Sequence, residues 1–282
     1  MNWLRISVVG GVNLDVLGQP DGPFQQHDSL IGSVRFVCGG VGHNIAAQAV
    51  RTGADVSLYT VFGNDRNADW LRQCCLKDGI RIDQAVTLNG TSPVYMAIHG
   101  SDGDMITAVN DMWLLDEFTP QLLYKMLPGI NQSDVCVTDA NLPAESLSYL
   151  AQHVNVPLIC DPVSVVKSKR IIPVLSNLSA IKPNLLEAQA MTGADSPEKC
   201  TESLLISGVK MVFISLGKEG LYYADAGSSG HLRPVTVTTT PQTGAGDALT
   251  AGIASGIGLG YKAEDCARYG MDTVSRYLHL NT

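Results

Sequence analysis

The 282-residue chain is poor in charge, at 16%, and in aromatic residues, at 6%. Its 19 Lys and Arg are scattered and outnumbered by 27 Asp and Glu, for a formal charge of −8. That excludes a protein built to grip a nucleic-acid backbone, which needs a basic stripe. No apolar run approaches the length of a membrane span, and the N-terminus lacks the basic, apolar and small-residue order of a signal peptide. The seven cysteines (Cys38, Cys74, Cys75, Cys136, Cys160, Cys200 and Cys266) form no Cys-x-x-Cys pair and show no zinc-type spacing with the six histidines. Several lie in apolar, strand-like runs. The expected state is buried free thiols in a reducing cytoplasm. There is no internal repeat, low-complexity tract or interdomain linker.

What is present is a 45% hydrophobic chain with a regular rhythm. Apolar runs at Ile6–Val9, Val56–Val61, Asp134–Thr138, Pro157–Cys160, Ala180–Lys182, Lys210–Ser215 and Gly220–Ala224 read as strands. Between them, Gly42–Thr52 (closed by Gly53), Asp69–Asp78, Ala144–His153 and Leu185–Thr192 (closed by Gly193) have helical periodicity, and two last helices start near Asp247 and Ala263. Near-continuous apolar strands alternating with helices predict an α/β fold, a doubly wound, mostly parallel sheet with helices on both faces. Two excursions break the rhythm. Val12–Phe36 is rich in Gly, Pro and polar residues and ends in the alternating piece Ser33–Val37; Thr91–Val109 carries two alternating runs around a turn at Ser101-Asp-Gly103. Alternation marks strands with one wet face, so the excursions are expected to pair as a small antiparallel β lid, about 12–38 and 91–110, over the carboxyl ends of the parallel strands.

The glycine-rich joints carry the chemistry. Thr243-Gly244-Ala245-Gly246-Asp247 opens a helix after a β-branched run, Val235–Thr240. Unpartnered N–H groups at a helix start suit a phosphate, and the acid sits where a substrate hydroxyl would lose its proton. A simple helix cap is the competing reading. Asn13 and Asp15, just past the first strand, point the same way and suit the vicinal hydroxyls of a sugar, or else form a turn. Cys38-Gly39-Gly40-Val-Gly-His-Asn44 opens a helix whose glycines let a ligand touch backbone, with Asn44 turned back toward it, while His43 is given no chemistry. Asn184 and Glu187 share one face of a first helical turn. They suit the organisation of hydrated Mg²⁺, or equally a capping box. Ser215, Gly217, Lys218 and Gly220 form a turn from which Lys218 can reach a phosphate or ribose, or a plain hairpin.

In this order the motifs resemble the ribokinase-like (PfkB) family of small-molecule kinases over nearly the whole chain, 1–282, as one kinase domain. The resemblance implies ATP-dependent transfer of the γ-phosphate to a hydroxyl. Within the family, Ala108-Val-Asn110-Asp111-Met112, Thr119-Pro120, Thr138-Asp-Ala-Asn141 and Cys160-Asp-Pro-Val-Ser164 are similar to the branch acting on pseudouridine. Another nucleoside, a ribose- or fructose-type sugar, and a catalytically weak binding relative are the alternatives.

On that resemblance Asp247 is the base for the 5′-hydroxyl, kept ionised by the helix dipole, and the N–H groups of Gly244, Ala245 and Gly246 hold developing charge. Asn13, Asp15, Gly39, Gly40 and Asn44 hold the ribose, and Asn110 meets the base or the lid hinge. Asn184, Ser215, Gly217, Lys218, Gly220 and Thr243 face the nucleotide, and Glu187, through water, with Asn184 organises Mg²⁺. Pro241-Gln242 stands where many relatives have an acid near a monovalent-cation site, which leaves K⁺ activation open. The end at Thr282, where relatives continue, implies either a more open nucleotide pocket or an isoform or truncated product, and the lid implies a homodimer.

Overall fold

Strands buried on both sides set the frame. The computed structural model describes residues 3–101, 103–234 and 244–280. The first half contains β1 (Arg5–Val9), β2 (Asn13–Pro20), β3 (Gly32–Gly39), α1 (Val41–Arg51), β4 (Asp55–Tyr59), β5 (Val61–Phe62), α2 (Arg66–Lys77), β6 (Val86–Thr87), β7 (Val94–His99), β8 (Met105–Asp111) and α3 (Pro120–Ile130). The second half contains β9 (Val135–Asp139), α4 (Ala144–His153), β10 (Leu158–Asp161), α5 (Val165–Ser168), β11 (Ala180–Ile181), α6 (Leu185–Thr192), α7 (Pro197–Ile206), β12 (Met211–Ser215), β13 (Leu221–Asp225), β14 (Ser229–Leu232), α8 (Ala245–Gly258) and α9 (Ala263–Leu280).

The main sheet has the order β14-β13-β12-β11-β10-β9-β1-β4. From β12 to β4 every pairing is parallel, and β13 and β14 add antiparallel edge strands. Successive strand residues alternate between two cores. Ile6 and Val8 pack with Ile45 of α1, Leu71 of α2 and Ile253 of α8, whereas Val9 packs with Leu123 of α3, Leu147 of α4 and Leu204 of α7. The expected layered fold is therefore present. Because β1 lies between β4 and β9, the chain winds outward on both sides of it, and the β1/β9 crevice is the topological switch point where ligands of such sheets bind.

The second sheet has the order β3-β2-β7-β8. Its outer pairs are antiparallel, but β2 and β7 at its centre run parallel, which joins the two excursions without a hairpin between them. Paired residues share a face. Asn13 and Asp15 lie on one face in line with Tyr95, which pairs with Asn110; Phe36, Met96 and Val109 share the other. The turn residue Asp102 lies outside the described residues.

Two helices that periodicity did not show, α3 and α7, start on Thr119 and Ser196, whose side chains accept from the N–H groups of Leu122 and Lys199, each followed by proline at the first helical position. Small residues let α8 and α9 touch. A Cβ on Gly252 would lie 2.6 Å from Thr273 Oγ1 and 2.7 Å from Gly270 Cα. Gly252→Val is expected to cost about 1–3 kcal/mol through overpacking, read as a lower denaturation midpoint with an unchanged denaturant slope.

Candidate active site at the carboxyl edge of the sheet

The parallel strands end together, and β9, β10 and β11 each deliver a charge there: Asp139, Asp161 and, one residue past β11, Lys182. Lys182 Nζ lies 2.9 Å from Asp161 Oδ2, both side chains being almost fully buried. The same oxygen accepts from Thr250 Oγ1 of α8 at 2.8 Å. Burial alone would lower the Lys182 pKa, but Asp161, and then Asp247 and Glu187, outweigh it and raise it. Asp139 is pushed up to about 6, first by burial and then by the charge of Asp161; its Oδ2 is buried without a hydrogen-bond partner among the described residues. Gly10, at the end of β1, sits so close that a Cβ there would lie 2.6 Å from Asp139 Oδ2. Beside Asp161, Val163 holds φ 66°, a strained region for a β-branched residue, with its N–H donated to Asp161 Oδ1 at 3.0 Å.

Asp247 lies in the first turn of α8, one turn before Thr250. Asn44 of α1 donates Nδ2–H to its Oδ2 at 2.9 Å. The sequence reading had the helix dipole holding Asp247 ionised. The structure corrects this: burial, followed by the negative charge of Asp161, pushes its pKa up to about 7, against the pull of Asn44 and Lys182. A carboxyl poised there suits general-base work near neutral pH. Gly244 caps the helix in the left-handed region at φ 98°, and a Cβ on it would lie 2.7 Å from the hydroxyl of Tyr277 of α9. Gly246 is exposed, and a Cβ on it would lie 3.4 Å from Lys182 Nζ. Thr243, with Pro241, Gln242 and the run 235–240, lies outside the described residues.

The other predicted residues fall on both sides of this edge. Asn13 and Asp15 point together, Asn13 Nδ2 donating to Asp15 Oδ1, and burial raises the Asp15 pKa against that bond. Gly39 and Gly40 are required by that pair. A Cβ on Gly39 would meet the Asp15 carboxylate, and Gly40, at φ 100°, would bring one to 2.9 Å from Asn13 Oδ1. Gly40 caps α1, and its carbonyl accepts the N–H of Asn44 at 2.9 Å, which places Asn44 between the Asn13/Asp15 pair and Asp247. Asn110 is exposed on β8, on the face shared with Asp15.

Asn184 and Glu187 form a capping box on α6: Glu187 N–H donates to Asn184 Oδ1 and Asn184 N–H to Glu187 Oε2, both at 2.9 Å. Glu187 is buried, and burial raises its pKa against the pull of the Asn184 N–H and Lys182. Its Oε1 accepts no hydrogen bond among the described residues. Ser215 bridges to Asn184 across the strand ends, its N–H donating to Pro183 O at 2.9 Å. Gly217, Lys218 and Glu219 form one 3-10 turn there, closed by Gly220, with Lys218 exposed. Two grooves elsewhere, one around Arg5, Asp55 and Arg81 and one around Asp65 and Arg72, share none of these residues.

A glycine-capped helix with an acid one turn in, facing an amide and a paired Asn/Asp across a doubly wound sheet, is an arrangement for aligning a hydroxyl with a phosphate. The profile of the pfkB family carbohydrate kinases matches residues 4–275. The chain belongs to this family. A pseudouridine kinase of Escherichia coli K12 is 31% identical over 258 residues, 89% of this chain and 82% of that protein. The sugar kinase YeiI of the same organism, itself uncharacterised, is 32% identical over 270 residues, 93% of this chain and 75% of that protein. Among solved structures, a carbohydrate kinase from Agrobacterium tumefaciens superposes with a TM-score of 0.86 at 26% identity, over 96% of this chain and 90% of that one. As a pfkB-family kinase the chain is a phosphotransferase acting on an alcohol, and membership implies ATP as the donor.

Sequence reasoning gave no role to Asp139, Asp161, Lys182, Thr250 or Tyr277. Asp139 and Asp161 stand in segments that carry the resemblance, Thr138–Asn141 and Cys160–Ser164, and Lys182 ends the strand just before Asn184; a single polar residue ending an apolar strand is the available signal. Lys182→Met leaves Asp161 buried without its counter-charge. It is expected to cost about 3–5 kcal/mol in denaturant titration of the ligand-free protein.

Proposed function

We propose that this kinase transfers the γ-phosphate of ATP to the 5′-hydroxyl of pseudouridine, giving pseudouridine 5′-phosphate. The hydrogen bond from Asn44 to Asp247 carries the reading, because it ties the base at the start of α8 to the polar row of the small sheet. Asn13, Asp15, Gly39, Gly40 and Asn44 hold the ribose through its hydroxyls, and Asn110, on the same face of that sheet, meets the nucleobase. Asp247 Oδ takes the proton of the attacking hydroxyl, and the free N–H groups of Gly244, Ala245 and Gly246 steady the charge on the transferring group. Ser215, Gly217, Lys218 and Gly220 line the nucleotide side with Thr243, and Asn184, its Oδ1 engaged in the cap, fixes Glu187.

Glu187 fits a water-mediated Mg²⁺ role, since the capping box uses only Oε2. When bound, Mg²⁺ neutralises phosphate charge. The 31% identity to a pseudouridine kinase supports the acceptor, while the equally similar sugar kinase makes another nucleoside or a sugar the alternative. The small sheet, about 12–38 and 91–110, acts as a lid over the acceptor. The cytoplasm suits a kinase that draws on cellular ATP.

Turnover with pseudouridine, uridine, adenosine, ribose and fructose tests the acceptor. Product from pseudouridine at the highest kcat/KM is expected, and preference for a sugar overturns it. With the true acceptor, Asp247→Asn is expected to lower kcat by about 10²–10⁴-fold with little change in KM. The wild-type kcat/KM should fall about tenfold per unit below pH 7, where Asp247 becomes protonated, and Asn44→Ala should move that limb to higher pH by removing a bond to the ionised form.

The outward face of the small sheet exposes Val34, Phe36, Met96 and Val109 by 45–63%. We infer a homodimer joined through this face. Sedimentation should give a dimer for the wild type and a monomer for Phe36→Asp; a wild-type monomer at micromolar concentration overturns it.

A further inference from the structure

Two cysteines and a histidine from three different elements meet beside the site. Cys38 ends β3, His43 lies in the first turn of α1, and Cys75 lies in the last turn of α2. The two sulfurs and one ring nitrogen of His43 all lie within 4.8 Å of one another. The carboxylate of Asp78, which caps α2, stands at the rim with Oδ2 3.1 Å from His43 Nε2. His43 and Cys75 are buried, Cys38 is half-buried, and the Asp78 side chain, 37% exposed, opens the cluster to solvent. The kinase reaction uses none of these four side chains.

We propose that Cys38, His43 and Cys75, with Asp78 as the fourth ligand, form a binding site for a zinc-class divalent cation. The donor set is two thiolates, an imidazole and a carboxylate, which suits Zn²⁺ and is wrong for Mg²⁺ or Ca²⁺, whose ligands are oxygens. Around a tetrahedral ion with bonds of about 2.0–2.3 Å the donor atoms stand somewhat under 4 Å apart. A separation within 4.8 Å therefore closes by an ångström or less, mostly through side-chain rotation. The four residues form two local pairs, Cys38-x4-His43 across the joint from β3 to α1 and Cys75-x2-Asp78 at the end of α2, so both halves are held by secondary structure before any ion arrives. Binding breaks two S–H bonds and releases both protons to solvent.

The site has a route to the chemistry. His43 Nδ1 lies 3.4 Å from Asn44 Oδ1, and Asn44 holds Asp247. Coordination also ties Cys38, and with it the Gly39–Gly40 joint, to α2. This inference does not rest on the identity of the acceptor.

The test uses the full chain, reduced, stripped by a chelator and titrated with Co²⁺ and then Zn²⁺. One equivalent of Co²⁺ should give tetrahedral d–d bands and a thiolate-to-metal charge-transfer band of two-thiolate intensity, and Zn²⁺ should displace both. Cys38→Ser and Cys75→Ser should each lose part of the charge-transfer band and the double variant all of it, while Cys200→Ser, in the opposite core, keeps it. Asp78→Asn, at the half-exposed rim where folding is not at stake, should bind about 10–100-fold more weakly. Absence of the band in the wild type, its persistence in the Cys38/Cys75 double variant, or unchanged affinity in Asp78→Asn together with an unchanged band in Cys38→Ser overturns the site.

Discussion

The buried pair of Lys182 and Asp161 is the constraint on which the carboxyl edge of this kinase depends. Three acids, Asp139, Asp161 and Asp247, are brought to one region of low dielectric, and the buried ammonium of Lys182 stands among them. A buried carboxylate without a counter-charge is costly enough to be neutralised or to disrupt the fold. Lys182 supplies the counter-charge of Asp161, and the negative charge of Asp161 in turn raises the pKa of both Asp139 and Asp247. The pKa of Asp247 is thus set in part from β10 and β11, far from it in sequence, through the charge of the pair and the Thr250 contact. The Thr250–Asp161 bond also ties α8 to the sheet, so the helix carrying Asp247 is held by the same group that shifts its pKa.

How much of this was legible in the chain follows from the range of each interaction. The parallel strands could be read because burial on both faces leaves continuous apolar runs, as at Val135–Thr138 and Met211–Ile214. β2 could not. It carries Gly18 and Pro20, and it is fixed by pairing with β7, some eighty residues away by number, so its local composition resembles a loop. α3 and α7 were announced by Thr119-Pro120 and Ser196-Pro197, cap and first-turn signals that count for more than weak amphipathic periodicity. At the site, Asn13, Asp15, the Gly39–Gly40 pair, Asn44 and Asp247 were legible because each joint is a local pattern. The pKa of Asp247 was not, because the helix dipole is a property of one element whereas the opposing charge of Asp161 arrives from another.

The Asn184/Glu187 pair shows the capping box directly, and the Mg²⁺ role proposed for Glu187 is compatible with it. The capping box is formed, and it spends one oxygen of each side chain on backbone. That fixes the Glu187 carboxylate at the end of the sheet with its second oxygen uncommitted among the described residues, close enough to Lys182 to feel its charge. A cap is then the means by which a charged side chain is held still, and rigidity of this kind is what positioning phosphate charge requires.

The small sheet separates two demands that a single surface could not meet. Its period of two places Asn13, Asp15, Tyr95 and Asn110 on one face and Phe36, Met96 and Val109 on the other. The only passage from this sheet into α1 is Cys38-Gly39-Gly40, where glycine is imposed by the Asp15 carboxylate and by the backbone of Gly11. β2 enters the sheet from the end of β1, and β3 leaves it through this joint into the helix carrying Asn44, while β7 and β8 connect the same sheet to the core on its other side. Cys38 stands before this joint and His43 and Asn44 after it, so the thiol–imidazole cluster spans the joint that places Asn44 against Asp247.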